Sequence, residues 1–495
     1  MPGYPRPRTV TARPLAELAA LLHVPVPAES PAVTGVTLAS GTVRAGDLFA
    51  ALPGSRAHGA RFIGTAAAAG AVAVLTDAAG APFAAEAGLP ALVVDDPRAA
   101  VGDVAARVYG DPTATLTVLG ITGTAGKTST AYLIESGLRA AGQFTGLIGT
   151  VETRIGDDVL DSARTTPEAS DLQALFAVAR DRGVTALAME VSSHALALGR
   201  VGGTRFAVGG YTNFGTDHLD FHAGVEEYFA AKALLFDGRC RYEVLNLDDP
   251  ALKPLLRPTT ITYSAAGDPS ATWRAESIQP DGYGQRFRAL GPGIALDSTV
   301  TLPGRHNVAN ALLALASLVA VGIDPAAAVA GIAACPGVPG RLERVPAPGP
   351  VIGVVDYAHK PDAIVAALAA LRGATEGRLI CVIGAGGDRD RAKRPTMGAA
   401  AAEGADLVIV TDDNPRTEDP ARIRAEVLDG ARGGVEVPGR RAAIAEAVAR
   451  ARPGDLVALL GKGHERGQEI GGEVFPFDDR VELAAALSTR FGEAT

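Results

Sequence analysis

The chain has few of the residues that mark secreted, membrane or disulfide-stabilised proteins. Its 495 residues include three cysteines, Cys240, Cys335 and Cys381, which lie far apart and lack metal-ligand spacing. They cannot build a disulfide framework. No apolar run is long enough to span a bilayer, and the N-terminal residues lack the apolar core of a secretory signal. We therefore expect a globular protein of the cytoplasm.

Clustered positive charge is also absent. The formal net charge is −9, and the 46 Lys and Arg residues form no basic run or stripe. Because neutralised phosphates supply most of the affinity for nucleic acids and anionic membranes, we expect neither as a partner. An anionic ligand would have to be bound by local arginines.

Lysine is the scarcer of the two basic residues, because only six of the 46 are lysine. A chain that uses arginine for general positive charge keeps lysine where a primary amine on a flexible stem is needed. Five of the six lysines lie in segments with the features of binding sites: Lys127, Lys232, Lys360, Lys393 and Lys462.

The first of these lysines ends a glycine turn. Residues 121–128 read Ile-Thr-Gly-Thr-Ala-Gly-Lys-Thr, after an apolar run at 116–120 and before a helical pattern at 131–141. Such a turn cradles phosphates with backbone N–H groups and a lysine, and the Thr128 hydroxyl is suited to Mg²⁺. Ile121 replaces the first glycine of the strict pattern, so the motif is a shortened P-loop. The predicted ATP-binding residues here are Gly123, Thr124, Ala125, Gly126, Lys127, Thr128 and Ser129.

Short apolar segments alternate with helical patterns, which predicts an α/β fold. The length favours about three domains at ~150 residues each. In the first two domains, strands are predicted at 36–38, 47–52, 71–76, 91–95, 187–191, 207–212 and 242–246. In the third domain, helices alternate in a Rossmann-like, doubly wound order with strands at 351–355, 379–383, 407–411 and 456–460. Turn-rich segments set the predicted domain limits at 1–110, 111–339 and 340–495.

Two polar segments follow predicted strands of the central, mostly parallel sheet. Glu190 ends an apolar strand, where α/β sheets place ligands, and is predicted to bind Mg²⁺. The alternative is a buried acid paired with Arg200. The segment 211–222 offers further possible ligands, of which alternate spacing allows only some to face one ion: Asp217, His218, Asp220 and His222.

Lys232 lies among apolar residues in the segment 228–236. Its amine either reaches out to water or is held partly buried in a neutral form that can react. The segment alone favours the first alternative.

Taken together, these segments resemble the Mur ligase family, the ATP-dependent amide-forming enzymes of peptidoglycan precursor synthesis. The resemblance covers nearly the whole chain. The matching motifs are Gly-Thr-Ala-Gly-Lys-Thr at 123–128, Thr-Thr-Pro-Glu at 165–168, Met-Glu-Val-Ser-Ser-His at 189–194, Asp-His-Leu-Asp at 217–220, Ala-Lys-Ala at 231–233, Gly-Arg-His-Asn at 304–307, Gly-Arg-Leu-Glu at 340–343, Asp-Tyr-Ala-His at 356–359, Gly-Ala-Gly-Gly-Asp-Arg at 384–389, Asp-Asn-Pro-Arg at 413–416 and Gly-Lys-Gly-His-Glu at 461–465.

The resemblance implies ATP and Mg²⁺ as cofactors, with catalytic roles for Lys127, Glu190, His218 and Lys232. Thr128, Glu190 and His218 would serve Mg²⁺. Lys232 would carry a carbamate made from CO₂ (N6-carboxylysine), which turns the amine into an anionic metal ligand. Three more residues would reach the ATP: Asn307, Arg341 and Asp356.

The resemblance also implies two substrates, which would be joined through an acyl phosphate. UDP-MurNAc-L-Ala-D-Glu would be bound by Ser40, Thr165, Thr166, Ser192 and Arg200, with its uridine end on the N-terminal domain through Ser40 and the segment 46–49. The motifs at 413–416 and 461–465 are similar to those of family members that add meso-diaminopimelate. This amino acid would be bound by Arg389, Asp413, Asn414, Arg416, Gly461 and Glu465. We expect the chain to act as a monomer.

The chain departs from the family pattern at three places. Family members commonly have Asn at Ala125, Asp-Ser-Arg at residues 39–41, and Gln at Leu198. Backbone N–H groups make most phosphate contacts, so we expect the first change to be tolerated. The other two alter expected contacts to the uridine and to the muramoyl peptide.

Two other functions fit part of the pattern. Another amide ligase of this architecture would add lysine, a dipeptide, or glutamate to folate, and would lack Arg389 and Arg416 together. A non-catalytic P-loop protein that senses a wall precursor would bind ATP without the metal ligands of a ligase.

Overall fold

The computed structural model describes residues 4–54, 57–160, 162 and 164–492. Its contacts divide the chain into two compact units. The first unit is Met1–Ser264, Asp268–Trp273 and Leu312–Gly331, and the second is Ala265–Gly267, Arg274–Ala311 and Ile332–Thr495. The predicted α/β class is confirmed, whereas the predicted limits of three domains stay a prediction.

The first unit begins with a small parallel sheet. Its four strands, in spatial order, are Gly35–Thr37, Asp47–Ala50, Ala73–Thr76 and Ala91–Val93. Leu48, Leu75 and Val104 are among the fully buried side chains of its core. The helices here are Leu15–Leu21, Ile63–Ala68, Ala81–Glu86 and Pro97–Val108. A short antiparallel pair of strands, Arg13–Pro14 and Ala32–Val33, precedes the four-stranded sheet in the sequence.

The larger sheet of the first unit carries the P-loop. Its strands, in spatial order, are Asp158–Leu160, Thr153–Ile155, Thr145–Ile148, Ala186–Glu190, Thr117–Thr122, Phe206–Tyr211, Cys240–Asn246 and Ile261–Ser264. The last six are mutually parallel, so their carboxyl ends lie along one edge. The helices are Lys127–Ala140, Ala169–Asp181, Ser193–Ala197 and Val225–Ala233. Helices Arg305–Ala320 and Pro325–Ala333 each contribute residues to both units.

The second unit contains a six-stranded sheet in the predicted doubly wound order. Its strands, in spatial order, are Glu343–Val345, Ile352–Asp356, Leu456–Leu460, Leu379–Ile383, Leu407–Val410 and Val435–Glu436, and all but the first are parallel. Consecutive residues of one strand, Cys381 and Val382, point to opposite faces and belong to different core clusters, so both faces are covered. The helices are Pro361–Arg372, Lys393–Gly404, Pro420–Leu428, Arg440–Arg450 and Asp479–Phe491.

The antiparallel elements that were not predicted from the sequence include two in the later part of the chain. One is a meander of Trp273–Asp281, Gly284–Gly291 and Ile294–Val300. The other is a hairpin of Gly467–Ile470 and Glu473–Pro476, which we call the C-terminal hairpin. In the described part of the chain, none of the helices combines the length and apolarity needed to cross a bilayer.

Candidate active site

The P-loop joins strand Thr117–Thr122 to helix Lys127–Ala140. Gly123 and Gly126 have φ angles of 138° and 86°, which a residue with a side chain rarely adopts. A Cβ on Gly123 would also lie 1.8 Å from Thr212 Oγ1. The backbone N–H of Thr124 donates to the Asn213 carbonyl at 2.8 Å. Glycine is therefore required for the path of this loop, and the neighbouring strand end holds it.

Two lysines converge on this loop. Lys127 Nζ donates to the carbonyl oxygens of Gly123 at 2.8 Å and of Thr124 at 3.0 Å. Lys232 Nζ donates to the same Gly123 oxygen at 2.8 Å and lies 4.6 Å from the centroid of the Tyr228 ring. The Lys232 side chain is 1% exposed, so the alternative in which it reaches out to water is wrong.

Glu190 lies at the carboxyl end of strand Ala186–Glu190 and is 1% exposed. Its Oε2 accepts a hydrogen bond from Thr128 Oγ1 at 3.0 Å, and its Oε1 accepts one from the Thr150 N–H at 2.7 Å. Thr150 Oγ1 also lies 3.2 Å from Oε2. The alternative pairing with Arg200 is wrong, because Arg200 pairs with Glu168 at 3.0 Å.

The donors around Glu190 fit a magnesium ion. Among the described residues no cation pairs with this buried carboxylate, and a buried charge needs a compensating partner. Carboxylate and hydroxyl oxygens are hard ligands of the kind that Mg²⁺ prefers. The described residues contain no ready cluster of three His, Cys, Asp or Glu ligands. Further ligands would then have to come from hydroxyls, a modified Lys232 or a bound phosphate.

Thr150 is the main residue here that the sequence did not indicate. It follows strand Thr145–Ile148, which pairs in parallel with Ala186–Glu190 and so ends at the same edge. Its hydroxyl also lies 2.9 Å from Thr165 Oγ1. Thr150 therefore connects Glu190 with a residue predicted to bind the muramoyl peptide. An additional predicted strand at 145–148 would have revealed it.

His218 belongs to an aromatic cluster beside the P-loop. Its ring centroid lies 4.7 Å from that of His194 and 6.1 Å from that of Tyr228, and its φ of 53° is in the left-handed region. The Tyr228 hydroxyl lies 3.2 Å from Thr124 Oγ1. Tyr228 thus contacts the P-loop, Lys232 and the histidines of this aromatic cluster at once. Burial raises the pKa of Tyr228, so the phenol stays neutral.

Three of the residues predicted to bind the muramoyl peptide lie near Glu190. Thr166 Oγ1 donates to the Glu190 carbonyl at 2.9 Å and accepts from the Ser192 N–H at 3.1 Å, and Thr165 contacts Thr150. Arg200 lies apart from Glu190, in its ion pair with Glu168. Ser40 begins the short 3-10 helix Ser40–Thr42, which follows strand Gly35–Thr37 of the small N-terminal sheet. In the neighbouring segment 46–49, the Asp47 carboxylate forms an ion pair with the Arg6 guanidinium at 2.7 Å.

The remaining residues predicted to bind nucleotide lie in the second unit. Asn307 Nδ2 donates to the Pro303 carbonyl at 2.8 Å. Asp356 accepts hydrogen bonds from the N–H groups of Leu342 at 2.6 Å and Ala358 at 2.7 Å. Burial raises the pKa of Asp356, although nearby Arg341 opposes this. The Arg341 guanidinium lies 4.4 Å from the Tyr357 ring centroid.

The predicted acceptor residues gather where three parallel strands of the second unit end. Arg416 Nη1 donates to the Gly387 carbonyl at 2.6 Å. A Cβ on Gly386 would lie 3.0 Å from Arg416 Nη1 and 3.9 Å from Arg389 Cγ, so both arginines border this glycine. Asn414 Nδ2 donates to Glu465 Oε2 at 2.8 Å. A Cβ on Gly461 would lie 2.6 Å from Asp413 Oδ2.

Lys462 joins these residues and had no predicted role in binding. Its side chain is fully buried, and its Nζ donates to Asn414 Oδ1 at 2.9 Å. The same Nζ lies 3.3 Å from Glu465 Oε2 and 3.8 Å from Asp413 Oδ1. A buried ammonium between two carboxylates and an amide fixes the relative positions of all three side chains. The rarity of lysine in the sequence was the signal that could have pointed to a role for Lys462.

A second buried pair supports the same strand ends. Arg440 and Asp479 have fully buried side chains, and Arg440 Nη2 donates to the Leu460 carbonyl at 3.1 Å. Burial opposes the charge of Arg440, but the pairing with Asp479 outweighs it and raises the pKa of the guanidinium. The strand end that leads into Gly461 and Lys462 is therefore held by a permanently charged group.

Comparison with protein-family models matches three parts of the chain. Residues 32–109 match the model described as Mur ligase family, catalytic domain. Residues 121–318 match the Mur ligase middle domain, and residues 340–463 match the Mur ligase, glutamate ligase domain.

Individual proteins are similar over almost the full length. The chain is 55% identical to the UDP-N-acetylmuramoyl-L-alanyl-D-glutamate--2,6-diaminopimelate ligase of Streptomyces coelicolor, over 99% of both chains. It is 45% identical to the UDP-N-acetylmuramyl-tripeptide synthetase of Leifsonia xyli subsp. xyli, over 98% of both. A solved structure of a UDP-N-acetylmuramoyl-L-alanyl-D-glutamate--2,6-diaminopimelate ligase superposes with a TM-score of 0.72 at 32% identity, over 97% of this chain and 99% of that one. With these similarities over its whole length, the chain belongs to the Mur ligase family.

Proposed function

We propose that this protein joins meso-diaminopimelate to UDP-MurNAc-L-Ala-D-Glu at the expense of ATP, giving the tripeptide precursor of peptidoglycan, ADP and phosphate. The similarity to ligases named for 2,6-diaminopimelate supports this acceptor. The observation that carries the proposal is the placement of Arg389 and Arg416 beside one glycine, Gly386. Two adjacent arginines suit an amino acid with a second carboxylate.

The reaction has two steps. The D-Glu carboxylate of the muramoyl peptide attacks the γ-phosphorus of ATP, which forms an acyl phosphate and releases ADP. The amine of the acceptor then attacks the acyl carbon, an amide bond forms, and phosphate leaves as the nitrogen loses a proton. Lys127 neutralises the charge that develops on the transferred phosphoryl group.

The magnesium ligands that we propose are Thr128, Glu190, His218 and the carbamate form of Lys232. Bound Mg²⁺ would offset phosphate charge. The chain's own residues prepare the site, since Thr150 and Thr128 orient the Glu190 carboxylate with hydrogen bonds. Carbamylation would replace the buried ammonium of Lys232 with an anion. That change would place a negatively charged metal ligand next to the P-loop.

In the second unit, opposite charges would select the two ends of the acceptor's zwitterion. Arginine presents parallel N–H groups that match a carboxylate, so Arg416 and Arg389 would bind the far carboxylate. Glu465 and the backbone at Gly461 would accept hydrogen bonds from the far ammonium. Lys462 keeps Glu465 and Asn414 in place for this task.

The remaining assignments are also part of the proposal. Thr165, Thr166, Ser192 and Arg200 would bind the muramoyl peptide, with its uridine end on the small N-terminal sheet near Ser40. Asn307, Arg341 and Asp356 would bind the nucleotide. We propose a monomeric enzyme of the cytoplasm with domains at 1–110, 111–339 and 340–495.

Phosphate release tests the proposal directly. Purified protein is incubated with Mg²⁺, ATP, UDP-MurNAc-L-Ala-D-Glu and meso-diaminopimelate, and with each component omitted in turn. We expect phosphate release to need all four, together with a product whose mass is that of the tripeptide. Steady phosphate release with ATP and the muramoyl peptide alone would instead indicate a sensor ATPase. Turnover with a different amine would indicate another amide ligase.

A further inference from the structure

Arg416 is held in an unusual backbone conformation by the C-terminal hairpin. Its φ is 53°, in the left-handed region that a residue with a side chain seldom adopts. The Arg416 N–H donates to the Glu469 carbonyl at 3.0 Å, and the Gly471 N–H donates to the Arg416 carbonyl at 2.7 Å. These two hydrogen bonds stabilise Arg416 in this strained conformation. The hairpin thus fixes the position of the Arg416 backbone, from which the side chain extends.

The same hairpin also contacts the guanidinium of Arg416. Arg416 Nε donates to Glu469 Oε2 at 3.1 Å, while Nη1 donates to the Gly387 carbonyl at 2.6 Å. A guanidinium has five N–H groups in one plane. Glu469 accepts from the Nε–H, and among the described residues no hydrogen bond is made by Nη2. The outer edge of the guanidinium therefore keeps Nη2 and the second N–H of Nη1 for a ligand.

The side chain of Glu469 is not needed to hold the hairpin itself. The backbone hydrogen bonds to Arg416 do that, and the two strands of the hairpin pair with each other from Gly467 to Pro476. The side chains of Arg416 and Glu469 are 22% and 40% exposed, so water can take the place of the carboxylate when Glu469 is removed. What the carboxylate does fix is the rotation of the guanidinium plane.

We propose that Glu469 is a positioning residue of the acceptor site, which holds Arg416 by Nε so that its outer edge meets the far carboxylate of the amino acid. This inference rests on the proposed function of Arg416. Glu469 also brings a negative charge close to that carboxylate, which opposes binding. Orientation and charge therefore act in opposite directions at this residue, and two substitutions separate them.

Glu469→Ala removes both the hydrogen bond and the charge, whereas Glu469→Gln keeps an oxygen acceptor and removes only the charge. We expect Glu469→Ala to raise the KM for meso-diaminopimelate by about tenfold, as loss of a supporting partner typically does, with kcat nearly unchanged. Glu469→Gln should have a KM equal to or below that of the wild type. The exposed Glu473 of the same hairpin gives a matched control, and Glu473→Ala should leave both constants unchanged.

The experiment measures kcat and KM for meso-diaminopimelate at saturating ATP and UDP-MurNAc-L-Ala-D-Glu in the full chain, with Arg416→Ala alongside. The inference is overturned by a wild-type or lowered KM in Glu469→Ala, or by equal impairment of Glu469→Ala and Glu469→Gln. A wild-type KM in Arg416→Ala would show instead that the proposed role of Arg416 is wrong. If Arg416→Ala is impaired and Glu469→Ala is not, only the role of Glu469 fails.

Discussion

Lys127 and Lys232 donate hydrogen bonds to one oxygen, the carbonyl of Gly123, each at 2.8 Å. They are 105 positions apart in the sequence and reach the P-loop from different helices. Two ammonium groups beside one acceptor repel each other, and the one on Lys232 is almost fully buried. The proposed carbamate on Lys232 would replace one of these two ammonium groups with an anion.

The first prediction concerns that carbamate. Lys232→Ala should be inactive, and short carboxylic acids such as formate or acetate should restore part of the activity, because they can supply the missing carboxylate. Lys127→Ala is the matched control, which should be folded, equally inactive and not restored, since its role is that of a cation. Activity is measured by phosphate release with and without the acid. Restoration of both variants, or of neither, would contradict the carbamate.

The second prediction concerns Thr150. Thr150→Ala removes the hydroxyl that lies between Glu190 and Thr165 while the backbone N–H to Glu190 remains. Loss of a partner that orients a metal ligand typically costs 10- to 100-fold, and we expect a loss of about tenfold in kcat/KM. Thr150→Ser keeps the hydroxyl and should be close to wild type. Equal activity of the two variants would show that the hydroxyl has no such role.

The third prediction concerns stability at Lys462. Lys462→Met keeps most of the side-chain volume but leaves Asp413 and Glu465 without their shared cation. Breaking a buried pair by removing one partner costs about 3–5 kcal/mol, so we expect a clear drop in the urea midpoint. Lys253→Met, at an exposed position, is the control. A midpoint for Lys462→Met within error of that control would mean that Lys462 does not hold the site together.

The fourth prediction concerns acid sensitivity. Burial lowers the pKa of His464 to about 4, and Arg341, Arg480 and Arg466 add to the effect. In the unfolded chain the imidazole of His464 binds a proton near pH 6.5, whereas in the folded chain it stays neutral to a lower pH. The contribution of this neutral imidazole to the free energy of unfolding is therefore lost as pH falls from 6.5 towards 4. The loss through this group is at most about 3 kcal/mol. His464→Gln should therefore show a smaller decrease in the urea midpoint between pH 7 and 4.5. If the midpoint of His464→Gln decreases as much as that of the wild type, His464 is not a source of the acid sensitivity.

The sequence predicted the strands of the second unit best, for a physical reason. Strands buried on both faces are continuous apolar runs, and 379–383 and 456–460 coincide with Leu379–Ile383 and Leu456–Leu460. Strand Thr145–Ile148 was missed because only two of its four residues, Leu147 and Ile148, are strongly apolar. Thr150 was missed with it. The antiparallel meander was missed because its strands carry many polar and exposed residues and so form no continuous apolar run.

The site was predictable as far as motifs follow single strands. The P-loop, Glu190 and Arg416 each lie at the carboxyl end of a strand or in the loop that follows it, where α/β sheets place their ligands. Contacts between distant segments could not be predicted in this way. The Lys232 contact with Gly123 and the Arg416 contact with Glu469 depend on how a helix packs and on the register of a hairpin, which a pattern within one segment does not contain.

The two arginines beside Gly386 are proposed to select an amino acid with a second carboxylate, and the acceptor preference of the enzyme checks this role. The ratio of kcat/KM for meso-diaminopimelate to that for L-lysine is determined with the wild-type enzyme and with Arg416→Ala. Removing one partner of a buried charge pair costs about 2–5 kcal/mol of binding free energy, because the other charge is left desolvated and unpaired. We therefore expect the wild-type enzyme to prefer meso-diaminopimelate by about 30- to 4000-fold, and Arg416→Ala to lose most of this preference. Comparable kcat/KM values for the two amino acids with the wild-type enzyme would contradict the claim.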